Sequence, residues 1–531
     1  MRRSDSGGER VPMAVMYPEA GPVRAAIVLA TINARYIHAA VGLRYLYANL
    51  GELQSSARIL EFDLKQDVER IVAEILGAGP SIVGLGVYIW NAVISCEVVR
   101  RLKECAPEVT VVLGGPEVSF EWESQEIVRL ADYLITGEAD VAFAALCRRL
   151  LAGEGGVPKV MAAGLPVLEE VTFPYEHYTA TDLRNRVLYV EASRGCPFTC
   201  EFCLSSLDVP VRAFPLDRFL AGMEALLERG ARVFKFVDRT FNLSQRVSRA
   251  IVAFFRERWC EGMFLHFEMV PDRMPMALME DLAWFPAGSV QLEVGIQTFD
   301  VVTATNIRRR QDYARLEENI RHLREHTGVH IHADLIAGLP GETWESFGRG
   351  FDRLVAMGPQ EIQVGILKRL RGTPIIRHDE AFAMRYRSEP PYEIVSNRDF
   401  SEEALMRIRR FAKYWDLVAN SGRFRDTLPR VWEGVAGPFE GFMAFSDWLG
   451  ERLGRMHSIP LAELAECLFR YLDEVRGLEE VESTLLGDWY RDGARRERLP
   501  FMRERALVGE VDSGKGSVGG AGKRQRRHAV G

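Results

Sequence analysis

CPFTCEFC, residues 196–203, places three cysteines on one short loop, separated by three and then two residues, directly after the strand-like run VLYVEAS. Cys196, Cys200 and Cys203 are soft thiolate ligands that can turn towards a common centre, and each can hold one iron of a [4Fe-4S] cube. The fourth iron then has no protein ligand, as a cluster that acts on a bound substrate requires. A zinc site usually has four ligands in paired spacings, and no second CxxC or His pair follows, so zinc or three reduced thiols are disfavoured.

Length and composition limit the class of protein. A chain of 531 residues predicts two or three domains. Its 47% hydrophobic and 27% charged residues are typical of a soluble globular protein, and a net charge of -7 gives no general indication of nucleic-acid binding. The remaining cysteines are scattered, which favours a reducing cytoplasm. No signal peptide or long apolar run is recognisable, so we expect a cytoplasmic protein without membrane insertion.

The first part of the chain, residues 23–153, alternates apolar runs with amphipathic stretches. The runs VRAAIVLA, ARILEFD, SIVGLGVYIW, VTVVLGG and DYLITGE predict a Rossmann-like, doubly wound parallel sheet within an α/β fold. Ligands of such sheets bind outside the carboxyl ends of the strands. The candidate binding residues in those loops are Asn33, Tyr36, Tyr88, Gly114, Gly115, Pro116, Gly137 and Glu138.

The second part, residues 185–384, repeats the strand and helix alternation six times. The runs are VLYVEAS, RVFKFVD, FLHFEMV, SVQLEVGIQ, VHIHADLIAGLP and EIQVGILKRL, and they predict a central partial (β/α)6 barrel. In such barrels the reactive groups stand at the carboxyl ends of the strands, where the three cysteines fall.

The other segments connect or cover these two units. Residues 1–22 are predicted to be a disordered N-terminus, 154–184 a linker rich in Gly and Pro, and 511–531 a disordered basic tail. Residues 385–510 turn strongly helical and predict a mainly helical C-terminal region. Its aromatic residues, which include Tyr414, Trp415, Trp432, Phe439, Phe442 and Trp448, either form a core or line a cavity, and helical spacing favours the core.

The cysteine loop resembles that of the radical SAM superfamily, in which an aromatic residue, here Phe202, precedes the third cysteine. The resemblance implies that a reduced [4Fe-4S] cluster cleaves S-adenosylmethionine to a 5′-deoxyadenosyl radical that removes hydrogen from the substrate. It assigns no catalytic residue beyond the cluster ligands. The residues that it places around S-adenosylmethionine are Phe202, Asp238, Glu268, Gln297, Arg308, Leu335, Ile336 and Gly338.

The segment before this core resembles the cobalamin-binding domain of one branch of that superfamily, on the patterns GGPEV and TGEAD. Histidine-ligated cobalamin domains carry an Asp-x-His-x-x-Gly loop, and His38 stands in ARYIHAAVG without that Asp and Gly. The resemblance therefore implies a cobalamin without histidine on cobalt. Together with the helical C-terminal region, the order of segments is similar to the subgroup whose last domain has no assigned function.

The resemblance leaves three functions open. The first is a cobalamin-dependent C-methyltransferase acting on a small molecule and reduced by a donor such as flavodoxin or ferredoxin. The second is cobalamin-assisted radical oxidation or cyclisation without methyl transfer, and the third is a non-catalytic iron–sulfur or cobalamin redox sensor. A methylthiotransferase is disfavoured because Cys96 and Cys105 lie nine residues apart on one predicted helix, a poor arrangement for a second cluster.

Overall fold

The computed structural model describes residues 25–207, 210–491, 498–499, 501 and 523–529. The predicted disordered N-terminus, residues 1–22, and most of the predicted basic tail lie outside these ranges. Within the tail, Lys523–Ala529 form a helix that packs against the central sheet.

The first unit is a parallel sheet of six strands in the order β2-β1-β3-β4-β5-β6. The strands are β1 (Ile27–Asn33), β2 (Ala57–Asp63), β3 (Ile82–Gly86), β4 (Thr110–Gly114), β5 (Tyr133–Thr136) and β6 (Val160–Ala162). The helices are α1 (Val41–Ala48), α2 (Val68–Gly77), α3 (Ala92–Cys105), α4 (Glu126–Leu130) and α5 (Ala142–Leu151). Strand β6 lies within the segment that we predicted as a linker.

Both faces of this sheet are covered because the strands are apolar on both sides. Along β1, Val28 and Ile32 belong to one core with α2, α3 and α4, whereas Ile27 and Leu29 belong to a second core with α1 and α5. Near-continuous apolar runs of this kind are typical of parallel strands that are buried on both faces. The predicted doubly wound sheet is confirmed.

The second unit is an open parallel sheet in the order β7-β10-β11-β12-β13-β14, and all six predicted strands are present. Its strands and a small hairpin are β7 (Leu188–Val190), β8 (Ser193–Arg194), β9 (Arg212–Ala213), β10 (Val233–Phe236), β11 (Phe264–Met269), β12 (Val290–Gln297), β13 (His330–Ala337) and β14 (Glu361–Ile366). Its helices are α6 (Ala180–Asn185), α7 (Leu216–Glu228), α8 (Gln245–Glu257), α9 (Met276–Ala283), α10 (Val301–Asn306), α11 (Tyr313–His326) and α12 (Trp344–Met357).

Alternation along the strands separates a core from an interior cavity. On β12, Val290, Leu292 and Val294 pack into the hydrophobic core, whereas Glu293 and Gln297, at positions of opposite parity, line a cavity. Since β7 and β14 remain edge strands, the barrel is partial, as predicted.

The C-terminal region begins with an antiparallel pair and continues as helices. Its elements are β15 (Arg385–Tyr386), β16 (Ile394–Ser396), α13 (Glu402–Val418), α14 (Pro438–Leu453), α15 (Leu461–Arg470), α16 (Val481–Tyr490) and α17 (Lys523–Ala529). Of its aromatic residues, Tyr414, Trp415, Phe439 and Phe442 are buried in one core with the central unit.

Helix α13 covers the open edge of the partial barrel. The side chain of Asn420, just after α13, donates to the carbonyl of Ile362 and accepts from its N–H, each at 2.9 Å. An edge strand exposes unpaired backbone groups, so this amide satisfies part of β14. Among the helices of the described ranges, none is both long and apolar enough to span a bilayer.

Candidate functional site

Cys196, Cys200 and Cys203 line one cavity of about 240 Å³ at the carboxyl end of the central sheet. The loop lies between β8 and β9 and turns tightly, since the N–H of Cys203 donates to the carbonyl of Cys200 at 3.1 Å. Within the described ranges, no three His, Cys, Asp or Glu side chains form a site for a single metal ion. Three soft thiols around one cavity fit the donor set of a [4Fe-4S] cluster that keeps one iron open.

Three of the residues predicted for S-adenosylmethionine share this cavity: Phe202, Glu268 and Gln297. Glu268 lies 3.1 Å from a guanidinium nitrogen of Arg239. Burial raises the pKa of Glu268, and Arg239 partly offsets that effect. Gln297 has φ of 73°, beside an irregularity in the pairing of β12 with β13, and its buried Oε1 has no hydrogen-bond partner among the described residues. A buried oxygen without a partner can accept a hydrogen bond from a bound ligand.

Arg308, also predicted for S-adenosylmethionine, is directed elsewhere. Its Nε lies 2.8 Å from Oε1 of Glu201, the buried acid between Cys200 and Cys203. The neighbouring Arg309 and Arg310 line the cavity instead, and Nη1 of Arg309 lies 3.5 Å from Sγ of Cys200. Arg308 therefore supports the cysteine loop from outside the cavity.

Asp238 is buried beneath the loop. Its carboxylate accepts from Oγ of Ser193 at 2.6 Å and from the N–H of Ala192 at 3.0 Å, which ties the end of β7 to β10. Burial raises the pKa of Asp238 to about 7, although these hydrogen bonds oppose the shift. The position of Asp238 thus indicates support of the loop rather than contact with a ligand.

The other predicted positions on β13 divide between two environments. Leu335 and Ile336 line a second, larger cavity that adjoins the first. Gly338, with φ of 88°, packs against the side chain of Ile394 on β16, and its carbonyl accepts from Asn397 at 3.1 Å. Gly338 therefore joins the barrel to the C-terminal region.

Sequence reasoning missed several cavity residues. The structure adds Arg239, Glu293, Arg309, Arg310 and Asp334 to the lining. The alternation of strand residues could have found Glu293 and Asp334, because Glu293 lies four positions before Gln297 and Asp334 lies two positions before Ile336. No sequence pattern distinguishes which of Arg308, Arg309 and Arg310 enters the cavity.

Six residues predicted for cobalamin line two further cavities. One, of about 270 Å³, lies at the carboxyl ends of the N-terminal strands, and the other, of about 460 Å³, lies between the two sheets. The six residues are Tyr88, Gly114, Gly115, Pro116, Gly137 and Glu138. At Gly115, with φ of 108°, an added Cβ would collide with the carbonyl of Val87, so the close approach of these loops requires glycine. The glycine-lined surface of these two cavities fits a large planar ligand that lies against the protein backbone.

Asn33, Tyr36 and His38 lie away from these cavities. Asn33 donates to Glu61 and to the carbonyl of His38, each at 3.0 Å. The ring of Tyr36 is half exposed, and Nδ1 of His38 lies 2.6 Å from the hydroxyl of Tyr189 on β7. The contact of His38 with Tyr189 connects the two units, and it provides an alternative to metal ligation for His38.

Glu138 connects the cavity between the sheets to the cysteine loop. Its carboxylate forms ion pairs with Arg194 on β8, at 2.8 Å, and with Arg212 on β9. Arg194 also pairs with Asp140 at 2.8 Å and lies over the ring of Tyr45. The hairpin that leads into and out of the cysteine loop is therefore held by the N-terminal unit.

Comparison with protein families gives three matches. Residues 27–147 match the B12 binding domain, residues 190–354 match the radical SAM superfamily, and residues 380–512 match a protein family of unknown function, DUF4080. These families imply a [4Fe-4S] cluster, S-adenosylmethionine and cobalamin as cofactors.

Relatives include a 2-(S-pantetheinyl)-carbapenam-3-carboxylate methyltransferase of Streptantibioticus cattleyicolor, which is 26% identical over 53% of this chain and 46% of its own length. The cobalamin-dependent radical SAM methyltransferase TokK of Streptomyces tokunonensis is 26% identical over 54% of this chain and 47% of its own length. The chain thus spans just under half the length of these two relatives.

A solved structure has a similar fold. The radical S-adenosylmethionine methyltransferase TsrM from Kitasatospora setae, with cobalamin and a [4Fe-4S] cluster bound, aligns with a TM-score of 0.56 at 17% identity, over 69% of this chain and 78% of TsrM. The matched ranges coincide with the cysteine loop, the partial barrel and the glycine-lined sheet described above. The chain therefore carries a B12-binding domain followed by a radical SAM domain.

Proposed function

We propose that this protein is a cobalamin-dependent radical SAM enzyme that transfers a methyl group to a carbon of a small molecule. The observation that supports this function is that the cysteine cavity adjoins the cavity between the two sheets. Arg239 and Ser205 line both the cysteine cavity and the cavity between the sheets, and Gly115 and Gly137 line the latter from the N-terminal side. Two ligands bound there would face each other across these shared side chains.

The site residues divide by ligand. The three cysteines would hold the cluster, and Phe202, Glu268 and Gln297 would contact S-adenosylmethionine. A carboxylate such as Glu268 suits the ribose hydroxyls because it accepts two hydrogen bonds. Tyr88 and the glycines of β4 and β5 would contact the corrin and its side chains. When bound, the reduced cluster with S-adenosylmethionine supplies a carbon radical and cobalamin supplies the methyl group.

The protein itself would bind and orient the cofactors and the substrate, and it would exclude water from them. The ion pair of Glu138 with Arg194 joins the N-terminal unit to the barrel mouth, so the shared space lies between the two units. Exclusion of water protects reactive intermediates from side reactions. A low-potential protein such as a flavodoxin or ferredoxin would supply the electron.

The test uses anaerobically reconstituted protein reduced with dithionite and given hydroxocobalamin and S-adenosylmethionine whose methyl group carries deuterium, so that any methyl group transferred comes from S-adenosylmethionine. We expect 5′-deoxyadenosine by mass spectrometry, a bound corrinoid spectrum, and deuterated methyl in added methyl acceptors. The Cys196→Ser variant should lose the cluster and all deoxyadenosine, whereas Cys96→Ser, on helix α3, should retain both.

The outcomes separate the possible functions. Deoxyadenosine and bound corrinoid together with an oxidised or cyclised product that carries no deuterium would replace methyl transfer by radical oxidation. A fully loaded cluster that yields no deoxyadenosine in the presence of S-adenosylmethionine would overturn the enzymatic function and favour a redox sensor.

A further inference from the structure

A large chamber adjoins the cysteine cavity. Its volume is about 770 Å³, and it shares Phe202, Gln297 and Asp334 with that cavity. Its other walls are the edge of β14 and helices α13 and α17. Pockets of roughly 300–1,000 Å³ are the usual size for small-molecule sites. A molecule in this chamber would reach the position of S-adenosylmethionine through the three shared residues.

Most of the charged side chains in the chamber wall are already paired. Arg409 forms an ion pair with Glu393. Arg524 lies 2.7 Å from Asp416. His332 lies 3.3 Å from Asp334. Within each pair the two charges cancel. The net charge of the chamber wall therefore depends on the charged side chains that are not paired.

The side chains left over are Lys368 and Lys413. Among the described residues, neither has a carboxylate or hydrogen-bond partner for its ammonium group; Lys368 is exposed, as Lys65 is, and Lys413 is half-buried. Lysine is scarce in this arginine-rich chain, and the other lysines of the described ranges are Lys65, Lys103, Lys159, Lys235 and Lys523. A flexible, strongly hydrated ammonium is suited to meeting a mobile anionic ligand, whereas the paired arginines are suited to fixed structure.

Asp334 and His332 line another part of the chamber wall. Oδ1 of Asp334 is buried and has no well-formed hydrogen bond among the described residues. Burial lowers the pKa of His332, but the nearby carboxylates of Asp334, 3.3 Å from Nε2, and Glu361, 3.4 Å from Nδ1, outweigh that effect and raise the pKa to about 10. The protonated His332 balances the charge of the Asp334 carboxylate. This carboxylate can still accept a hydrogen bond from a ligand.

We propose that the substrate is an anionic small molecule whose carboxylate or phosphate group is bound by Lys368 and Lys413, while its reacting end lies beside Asp334. This inference rests on the proposed function, because it takes the chamber as the substrate site. A cleft with an excess of one charge attracts ligands of the opposite charge even when the whole protein, here with a net charge of -7, has the same sign as the ligand.

The test labels lysines in the anaerobic holoenzyme with pyridoxal 5′-phosphate. Its aldehyde condenses with a lysine amine to an imine and water, and cyanoborohydride reduces the imine to a stable adduct that peptide mass spectrometry locates. We expect Lys368 and Lys413 to be labelled about tenfold faster than the exposed Lys65, because the phosphate is held by the second ammonium. Pyridoxal, which lacks the phosphate, serves as the matched probe and should show no preference.

Protection distinguishes the two anionic groups. If citrate slows the labelling of Lys368 and Lys413 more than inorganic phosphate does, the anionic group of the substrate is a carboxylate. If inorganic phosphate slows it more, the group is a phosphate. Labelling of both lysines at the rate of Lys65, or labelling that neither anion reduces, would overturn the proposal. The single variants Lys368→Gln and Lys413→Gln should each lower labelling of the remaining lysine, whereas Lys65→Gln should not.

Deoxyadenosine is measured on the same preparation without the probe. Selective labelling in a protein that forms no deoxyadenosine would contradict the proposed function and leave an anion site. Deoxyadenosine without selective labelling would support the function and reject the anionic substrate.

Discussion

Oε2 of Glu201, between two of the cluster cysteines, accepts a hydrogen bond of 2.6 Å from Nε of Arg377, which lies 176 positions further along the chain. His378 reaches the same oxygen at 2.8 Å. The side chain of Glu201 is only 1% exposed. The backbone contributes too, since the N–H of Ile375 donates to the carbonyl of Glu201 at 3.0 Å. The cysteine loop is therefore fixed to the segment that follows the last strand of the barrel.

Replacing Glu201 by Gln tests this anchor. Glu201→Gln keeps the shape but leaves Arg308 and Arg377 without their carboxylate beside the cluster, and the added positive charge favours the reduced cluster. We expect a midpoint potential about 50 mV more positive, measured by EPR-monitored titration. Glu104→Gln, at an exposed ion pair on α3, is the control. An unchanged potential with a full complement of iron would show that Glu201 does not influence the cluster.

Glu268→Ala tests the assignment to S-adenosylmethionine. Loss of a charged acceptor costs about 1.5–3 kcal/mol, so we expect the dissociation constant for S-adenosylmethionine to rise about 10-fold to 100-fold. Equilibrium dialysis with labelled S-adenosylmethionine measures the change at equal iron content. Glu257→Ala, at the exposed end of α8, should bind normally. If Glu268→Ala also bound normally, the ribose contact would be rejected.

The sequence predicted the strands well for a physical reason. The strands of the first sheet are near-continuous apolar runs because they are buried on both faces. The strands of the second sheet alternate core residues with polar residues that line the cavity, and this pattern is equally recognisable. Strand β6 was missed because Val160–Ala162 is short and stands among Gly, Pro and Ala residues. Its position depends on pairing with β5, a long-range contact that the local sequence does not encode.

The site was predicted less completely than the fold. Spacing alone predicts the three candidate cluster ligands. Arg308, which lies against Glu201, has φ of 52°, a local turn that the run of three arginines does not reveal. Glu201 itself gains its role from Arg377, distant in the chain. Side chains that meet across the barrel mouth depend on tertiary packing, which the spacing of residues does not determine.

Gly114→Val tests the corrinoid site. A Cβ on Gly114 would have its nearest neighbour at 3.7 Å, and valine is favoured in strands, so we expect the fold to be retained. The added methyl groups would occupy part of the cavity of about 270 Å³. We expect the affinity for corrinoid to fall about tenfold. The corrinoid that stays bound after desalting is measured by its visible absorbance. Gly77→Val, which meets open space at the end of α2, is the control, and full corrinoid binding by Gly114→Val would place the ligand elsewhere.

Glu342, in the GLPGE segment, gives a prediction for the pH dependence of stability. Oγ of Thr298 donates to Oε1 of Glu342 at 2.5 Å, and Oε2 is buried without a hydrogen-bond partner among the described residues. Burial raises the pKa of Glu342 from 4.5 to about 8. The folded state therefore holds a proton that the unfolded state releases above 4.5, and the stability that this carboxyl contributes is lost as the pH rises through that window to about 8.

Glu342→Gln removes this titration but keeps a neutral side chain of the same shape. We expect the variant to lose less stability than the wild-type protein between about pH 6 and about pH 8, by about 2 kcal/mol. Denaturant unfolding of the cluster-free protein at both pH values measures the difference. Glu345→Gln, exposed on the first turn of α12, should behave as the wild-type protein does. Equal pH dependence in Glu342→Gln and the wild-type protein would show that Glu342 is ionised in the folded state, and its buried charge would then need a partner that Thr298 does not supply.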